Sequence, residues 1–496
     1  MPNTSGKYSV PEEIRRLKPR GTMVKKINGH FYVYGMKNTK DPTTGKWKTV
    51  TTGILGKITL EDGYVPNEDA GYTVLEYGAY HLAEECAAGI RSQFSQAFGK
   101  GENARKIWAL ALIYAVNGFR AISSISTLYR KSALAVVFPD LKMGETAVAN
   151  LLDFLGRRDT ESLEFQRLLQ AETTQIALDG HAIPRYSMLD GMTEFGYKYR
   201  KFESMQVNLL TAYDVARNRP VSMKMFDGSK NDRAAAKEMI RDISSEGCLF
   251  LMDRGFHSPG LKEALAAKND TYIMPVSSNM NKYREAMNRG RGRLKSFVYL
   301  RREGIRSVRC AVEYRVSSDE DGTRVIYFHN LQEAADEQAN YLACIEKQIP
   351  GYTAENLPEA EKSFGVAVME TTFNATPEEI YSLYKKRWGV ETYFDYLKHQ
   401  MDFNALGVQD WAKLQGLAFM MLLATLIRGA IQEKLKQASF PASMPEVLLI
   451  ASSIKAIKRN LTWNVENCSK RERELFGAIG ISVGNELTPA LSKDPT

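Results

Sequence analysis

The spacing of apolar positions along this chain switches between two and about 3.6 residues, and each switch predicts a boundary between kinds of structure. Residues 22 to 63 alternate apolar and polar side chains around DPTTGK, which predicts a β meander with strands over His30 to Tyr34 and Trp47 to Ile54. Helical spacing follows in HLAEECAAGIRSQFSQAF, ARKIWALALIYAVNGF and ETAVANLLDFLGRR. From Thr173 the period returns to two. TTQIALDG is an apolar strand predicted to end at Asp179; strands follow over Met205 to Tyr213 and Pro220 to Phe226, then a helix over Asp232 to Ser244. CLFLMDRGF again runs apolar into an acid, Asp253, and TYIMPV over Thr271 to Val276 is one more strand.

This α/β rhythm breaks at Ser277. FVYLRREGIRSVRCAVEYRVSSDEDGTRVIYFHN predicts antiparallel strands turning at DEDG, an inserted β module, before SFGVAVMETTF resumes the strand pattern. The chain therefore divides into a basic β-rich region (1–70), an α-helical module (71–158), an α/β core (170–276 and 363–430), a β-rich insertion (277–362), and C-terminal helices with a tail (431–496). In the last region helices are expected over Met444 to Arg459 and Lys470 to Ala478, after a buried helix from Trp411 to Lys434.

The stretch Thr376 to Asp402, TPEEIYSLYKKRWGVETYFDYLKHQMD, predicts one long helix with a well-marked start: Thr376 as N-cap, Pro377 at the first helical position and Glu379 completing a capping box. With Tyr384 as zero, Arg387 falls at about 300°, Glu391 at about 340° and Lys398 at about 320°, so the four share one narrow arc. Leu383, Val390, Phe394 and Leu397 run directly beside that arc, at about 220° to 280°. A carboxylate flanked by Arg and Lys at the margin of a buried face suits a partly desolvated site that handles phosphate. An amphipathic helix with ordinary i,i+4 charge pairs is the plainer explanation of the same pattern.

Composition and charge narrow the chemistry. Five cysteines lie far apart with no CxxC pair, and six histidines show no HxxxH spacing, so a metal would be held by carboxylates. The longest apolar run, Gly416 to Ile427, is short of the ~20 residues a membrane helix needs, and the N-terminus carries no apolar signal core, so a protein of the cytoplasm is expected, with no membrane partner. Residues 1 to 60 hold 12 Lys+Arg against 3 Asp+Glu, a net of +9 out of +8 for the whole chain. A second basic run spans Lys282 to Arg309 and includes Arg291 and Arg293. Two separated basic surfaces suit a polyanion such as DNA. Phe31, Tyr32, Tyr34 and Trp47 interleave with lysines, as in a sheet that lies on nucleic acid, or equally as the small core of that sheet.

Three acids stand in order: Asp179, Asp253 after 74 residues and Glu391 after 138 more. Phosphodiester cleavage uses hard oxygen ligands around two Mg2+ ions, which two strand-end aspartates and a helix glutamate can supply by converging. The Tyr384, Arg387, Glu391, Lys398 spacing resembles the Tyr-Arg-Glu-Lys signature of bacterial insertion-sequence DDE transposases, and Thr173 to Arg428 resembles their catalytic domain. The resemblance implies an α/β fold with a ribonuclease-H-like core and a β insertion before the glutamate, preceded by the β meander and α module. It implies Asp179, Asp253 and Glu391 as catalytic ligands of two Mg2+ or Mn2+ ions, with Asp190 as alternative to Asp179, since Gly180 and His181 stand where many relatives carry a hydroxyl residue. Tyr384, Arg387 and Lys398 become contacts to phosphates at the element's end. Arg254, Arg291, Arg293 and Tyr299 join them as candidate DNA contacts, Tyr299 beside Tyr283 and Phe297 as a ring that stacks on a flipped base. The activity implied is cleavage at terminal inverted repeats and transfer of the freed 3′-hydroxyl into target DNA, by a homodimer acting at the nucleoid. An inactive DNA-binding relative and a non-specific nuclease are the alternatives.

Overall fold

A computed structural model describes residues 10–40, 46–66, 74–185, 194–195, 205–228, 230–244, 246–289, 294–303, 306–319, 322–387, 410–459 and 462–487. The chain forms two compact units, Met1–Val74 and Leu75–Thr496.

The first unit is a four-stranded antiparallel sheet of β1 (Thr22–Ile27), β2 (His30–Lys40), β3 (Trp47–Thr59) and β4 (Gly63–Pro66), in that order. A short helix, α1 (Glu12–Arg16), contributes Ile14 to one face, where it is buried with Val33 and Ile58. Both central strands run further than the alternation suggested.

The second unit opens with β5 (Val74–Glu76) and a helical set: α2 (Gly78–Cys86), α3 (Ala88–Phe98), α4 (Glu102–Asn117), α5 (Ile122–Lys131), α6 (Leu134–Val137), α7 (Glu145–Arg157) and α8 (Asp159–Gln170). A large sheet follows, built from β6 (Gln175–Arg185), β7 (Glu194–Phe195), β8 (Met205–Asp214), β9 (Arg219–Asp227), β10 (Leu249–Met252) and β11 (Thr271–Pro275), with α9 (Asp232–Asp242) and α10 (Pro259–Ala266) between strands. Strands β9, β8 and β6 are antiparallel neighbours; β10 lies parallel to β6 and β11 parallel to β10. This mixed α/β arrangement is consistent with a ribonuclease-H-like core.

The insertion carries α11 (Asn281–Asn288), β12 (Lys295–Glu303), β13 (Arg306–Ser318), β14 (Arg324–Asn330), α12 (Leu331–Glu346) and α13 (Leu357–Ala360), and returns through β15 (Val366–Thr371) to α14 (Pro377–Lys386). Its strands do not fold as a separate module. β15 pairs β11 on one side and β14 on the other, so β12, β13 and β14 extend the core sheet into one ten-stranded sheet. A strand edge left open by β15 is covered by the insertion's own strands, which satisfies backbone groups that would otherwise stay unpaired.

The apolar helix α15 (Trp411–Gln437) is long and apolar enough to cross a membrane, yet 83% of its most apolar window is buried inside the protein, as expected of a core helix. It crosses α7 at two glycines. A Cβ on Gly156 would meet Ala412 O at 1.6 Å and one on Gly416 would meet Leu152 O at 2.1 Å, so no larger residue fits this backbone approach. Gln415 of α15 also bonds both backbone groups of Met225 on β9, so the helical set and the sheet share a core.

The expected helix over Met444 to Arg459 ends early: α16 covers Met444–Ser452, and Lys455–Arg459 is a strand, β16. Within it only Ala456 is fully buried, and β16 pairs with β17 (Thr462–Val465). With β18 (Glu486–Leu487) and β5 they make a small sheet beside α17 (Lys470–Ala478).

Candidate active site

Asp179 does not end its strand as expected; β6 runs six residues further, to Arg185, because it pairs with β8 along its whole length. What ends there is the neighbour on the other side. β10 stops at Met252, which pairs with Leu178, so the next residue of each strand is an aspartate. Asp253 keeps an extended backbone (φ −77°, ψ 162°), and strand alternation sends both side chains from the same face of the sheet, one strand spacing apart, roughly 4.8 Å. Both are half-buried.

Each carboxylate uses one oxygen on the chain beside it. Asp179 Oδ1 accepts from the Gly180 N–H at 2.9 Å, and Asp253 Oδ1 accepts from the Arg254 N–H at 2.8 Å, capping the 3-10 turn Arg254–Phe256. Thr211 on β8 is the cross-strand partner of Asp179, so its side chain shares that face. Its hydroxyl is fully buried and makes no hydrogen bond among the described residues. Asp232, in the first turn of α9, comes close as well, but a Cβ on Gly180 would lie 3.4 Å from its Oδ1. Gly180 alternates with Asp179, which places Asp232 on the opposite face from the aspartate pair.

The loop after Asp253 is pinned from two directions. Arg233 Nε on α9 donates to Gly255 O at 3.0 Å. On the other side stands Glu370, an acid inside the apolar strand β15 with a fully buried side chain. His257 Nε2 lies 3.1 Å from its carboxylate, Tyr272 donates from its hydroxyl at 2.6 Å, Lys282 donates at 3.3 Å, and Lys262 forms an ion pair with it. Lys282 also pairs with Asp319 of the insertion. Burial alone would push the Glu370 carboxyl up; the bonds from His257, Lys262 and Tyr272 and the Lys262 charge outweigh it and hold the group well below the ordinary glutamate range. Sequence reading missed Glu370. Its signal was a lone carboxylate in an apolar strand, the same signal that picked out Asp253.

Helix α14 starts as predicted. Thr376 Oγ1 accepts from the Glu379 N–H at 3.3 Å, and the Glu379 carboxylate accepts from the Thr376 N–H at 2.9 Å. Arg324 on β14 donates to Ala375 O at 2.8 Å and fixes the approach to this cap. Replacing Thr376 by Ala is expected to lower stability by about 1 kcal/mol, read as a shift in the urea midpoint, while Thr376→Ser keeps most of the loss from appearing.

The helix leans on the insertion. Ile380 and Tyr381 are buried, the Tyr381 hydroxyl accepts from Asn330 Nδ2 at 2.9 Å, and Lys385 pairs with Glu333 at 2.6 Å. Tyr384 is half-buried and Arg387 buried, with the Arg387 guanidinium 5.4 Å from the Tyr384 ring centroid. These two candidate phosphate contacts are therefore adjacent. Glu391 and Lys398 lie outside the described residues, as do Arg291, Arg293 and Asp190. Arg254 is exposed immediately beside Asp253. Tyr299 meets the Tyr381 ring edge-on at 5.2 Å, and Phe297 packs against Tyr314, Phe328 and Tyr381, so both rings support α14. Tyr283 packs in the small core around Val325 and Val368.

Residues 170–427, just over half of the chain, match the family described as transposase DDE domain. The chain belongs to that family. The DDE match contains both aspartates, the insertion and α14. No curated protein matches the sequence. Among solved structures, the DDE chain is similar to the cryo-EM structure of a piggyBac transposase synaptic complex with hairpin DNA, at 10% identity and a TM-score of 0.39 over 76% of each chain.

DDE-family enzymes normally use divalent metals, and the residues described here fit one in part. Asp179 and Asp253 are oxygen donors side by side, which suits a hard cation, and their mutual repulsion is relieved by one. Among the described residues no group of three His, Cys, Asp or Glu side chains is placed to hold a metal ion. The third acid of the sequence pattern, Glu391, falls in the stretch outside them.

Proposed function

We propose that this DDE transposase binds the terminal inverted repeats of a mobile element, cuts phosphodiester bonds at its ends and joins the freed 3′-hydroxyls to target DNA. The observation that carries the reading is the register of β6 and β10, which sets Asp179 and Asp253 at the same level on neighbouring strands. These two would hold Mg2+ or Mn2+, with Glu391 as the third ligand. A metal pair bound there would supply Lewis-acid activation of an attacking water or 3′-hydroxyl and stabilisation of the leaving oxygen. Tyr384 and Arg387 would then meet phosphate oxygens of the element's end, the hydroxyl as donor and the guanidinium as a forked cation, with Lys398 and Arg254 as further contacts. The basic N-terminal unit would add sequence-independent affinity for duplex DNA in the cytoplasm. A homodimer would pair two ends.

Labelled duplexes taken from the DNA flanking the gene, incubated with the protein and Mg2+, are expected to be nicked at the inverted repeats and left intact in EDTA. Binding without nicking would make the chain a DNA-binding relative that has lost cleavage, and equal cutting of random duplex would make it a general nuclease.

A further inference from the structure

The N-terminal sheet has one covered face and one open face. Val24, Phe31, Val33, Ile58 and Tyr64 pack with Ile14 on the covered side. Strand alternation puts the intervening residues on the other side, where Met23 pairs with Tyr34, Lys25 with Tyr32 and Tyr32 with Lys57, and a register shift between β2 and β3 brings Ile54 opposite Tyr34. Met23 and Ile54 are 39% and 42% exposed, and no described element of this unit lies over them. Lys25 and Lys57 are exposed, and the Lys25 ammonium stands 4.7 Å from the Tyr34 ring centroid.

Strands β1, β2 and β3 carry six lysines (Lys25, Lys26, Lys37, Lys40, Lys48, Lys57) and no acid. Surfaces that bind proteins are depleted in lysine, whereas surfaces that bind a polyanion gather it. The β2 strand is 11 residues long, about 36 Å, which is close to one turn of duplex DNA.

We infer that the open face of this sheet is a duplex-DNA docking surface, on which Lys25 and Lys57 neutralise phosphates beside the Tyr32 and Tyr34 rings. The inference rests on the transposase reading for its partner but not for its geometry. Lys26 provides an internal control. It carries the same charge one residue away, yet it alternates to the covered side, where its ammonium lies 5.6 Å from the Phe31 ring centroid.

The test measures full-length protein binding a random 30-base-pair duplex by fluorescence anisotropy across a salt series. Lys25→Ala with Lys57→Ala is expected to weaken binding and flatten the plot of log K against log salt by about 2, roughly one per lost phosphate contact. Lys26→Ala is expected to leave the slope unchanged, and Lys25→Arg with Lys57→Arg to preserve it, with equal thermal melts showing that all variants fold. An unchanged slope in the double alanine variant, or an equal change in Lys26→Ala, overturns the inference, as does tighter binding of an RNA duplex than of DNA. Absence of cleavage by wild-type protein whose slope still depends on Lys25 and Lys57 would defeat the transposase reading and leave this surface standing.

Discussion

Replacing Asp253 by Asn is expected to abolish nicking of element-end DNA, a loss on the order of 10^3-fold or more, while leaving the fold and DNA affinity unchanged. The substitution isolates charge from shape. Asp253 caps the Arg254–Phe256 turn by accepting from the Arg254 N–H, and Asn caps such turns as well as Asp does, so the loop geometry survives. What Asn cannot do is supply a second anion beside Asp179. A neutral amide therefore removes the attraction for a divalent cation while keeping the hydrogen bond. The same change made at Asp179 is expected to match it, because the register places both groups at one level. Two readouts check the point: nicking of a labelled end, and Mn2+ binding followed by titration calorimetry without DNA. Retained nicking with Asp253→Asn would remove the aspartate pair from the chemistry, and lost nicking with undiminished Mn2+ binding would move the metal elsewhere.

The aspartate pair was legible because each acid follows a short apolar run, and buried parallel strands have that signature whatever their partners. Their adjacency was not written in either run. It depends on β10 stopping at Met252 while β6 continues along β8, a pairing between segments more than 70 residues apart. The capping box at Thr376 was legible for the opposite reason, since every atom in it lies within four residues. Glu370 escaped notice because its partners lie far off in sequence: His257 is 113 residues away and Lys262 is 108. An isolated glutamate in MET reads as an outward position of a half-buried strand. Cover from side chains of the Asp253 loop, α10, β11 and α11, which bring His257, Lys262, Tyr272 and Lys282 onto the carboxylate, turns it into an interior charge. The strand at Lys455–Arg459 was read as helix because Met444 to Ser452 sets a helical period that the following residues do not visibly interrupt.

Glu370→Gln is expected to cost about 3 to 5 kcal/mol of stability at pH 7, because it strips the anion from a site into which three basic side chains reach. Lys262, Lys282 and His257 all point at this one fully buried carboxylate, and Asp319 answers only Lys282. The loss is expected to fall on the loop that carries Asp253 as well, since His257 and Lys262 follow it directly, so nicking should drop more than DNA binding does. Removing the stranded charge gives the counter-test: Glu370→Gln combined with Lys262→Met is expected to recover part of the urea midpoint, which a simple packing defect would not. Acid supplies an independent check. The folded carboxyl is held below its unfolded value of about 4.3, so its contribution is fully present above that pH and is lost progressively as pH falls below it. The gap in urea midpoint between wild type and Glu370→Gln is therefore expected to narrow from pH 5 downwards. A gap that stays constant to pH 3 would mean that Glu370 stabilises the junction through shape rather than charge, and no gap at pH 7 would mean that the insertion is held to the core sheet by its strand pairing alone.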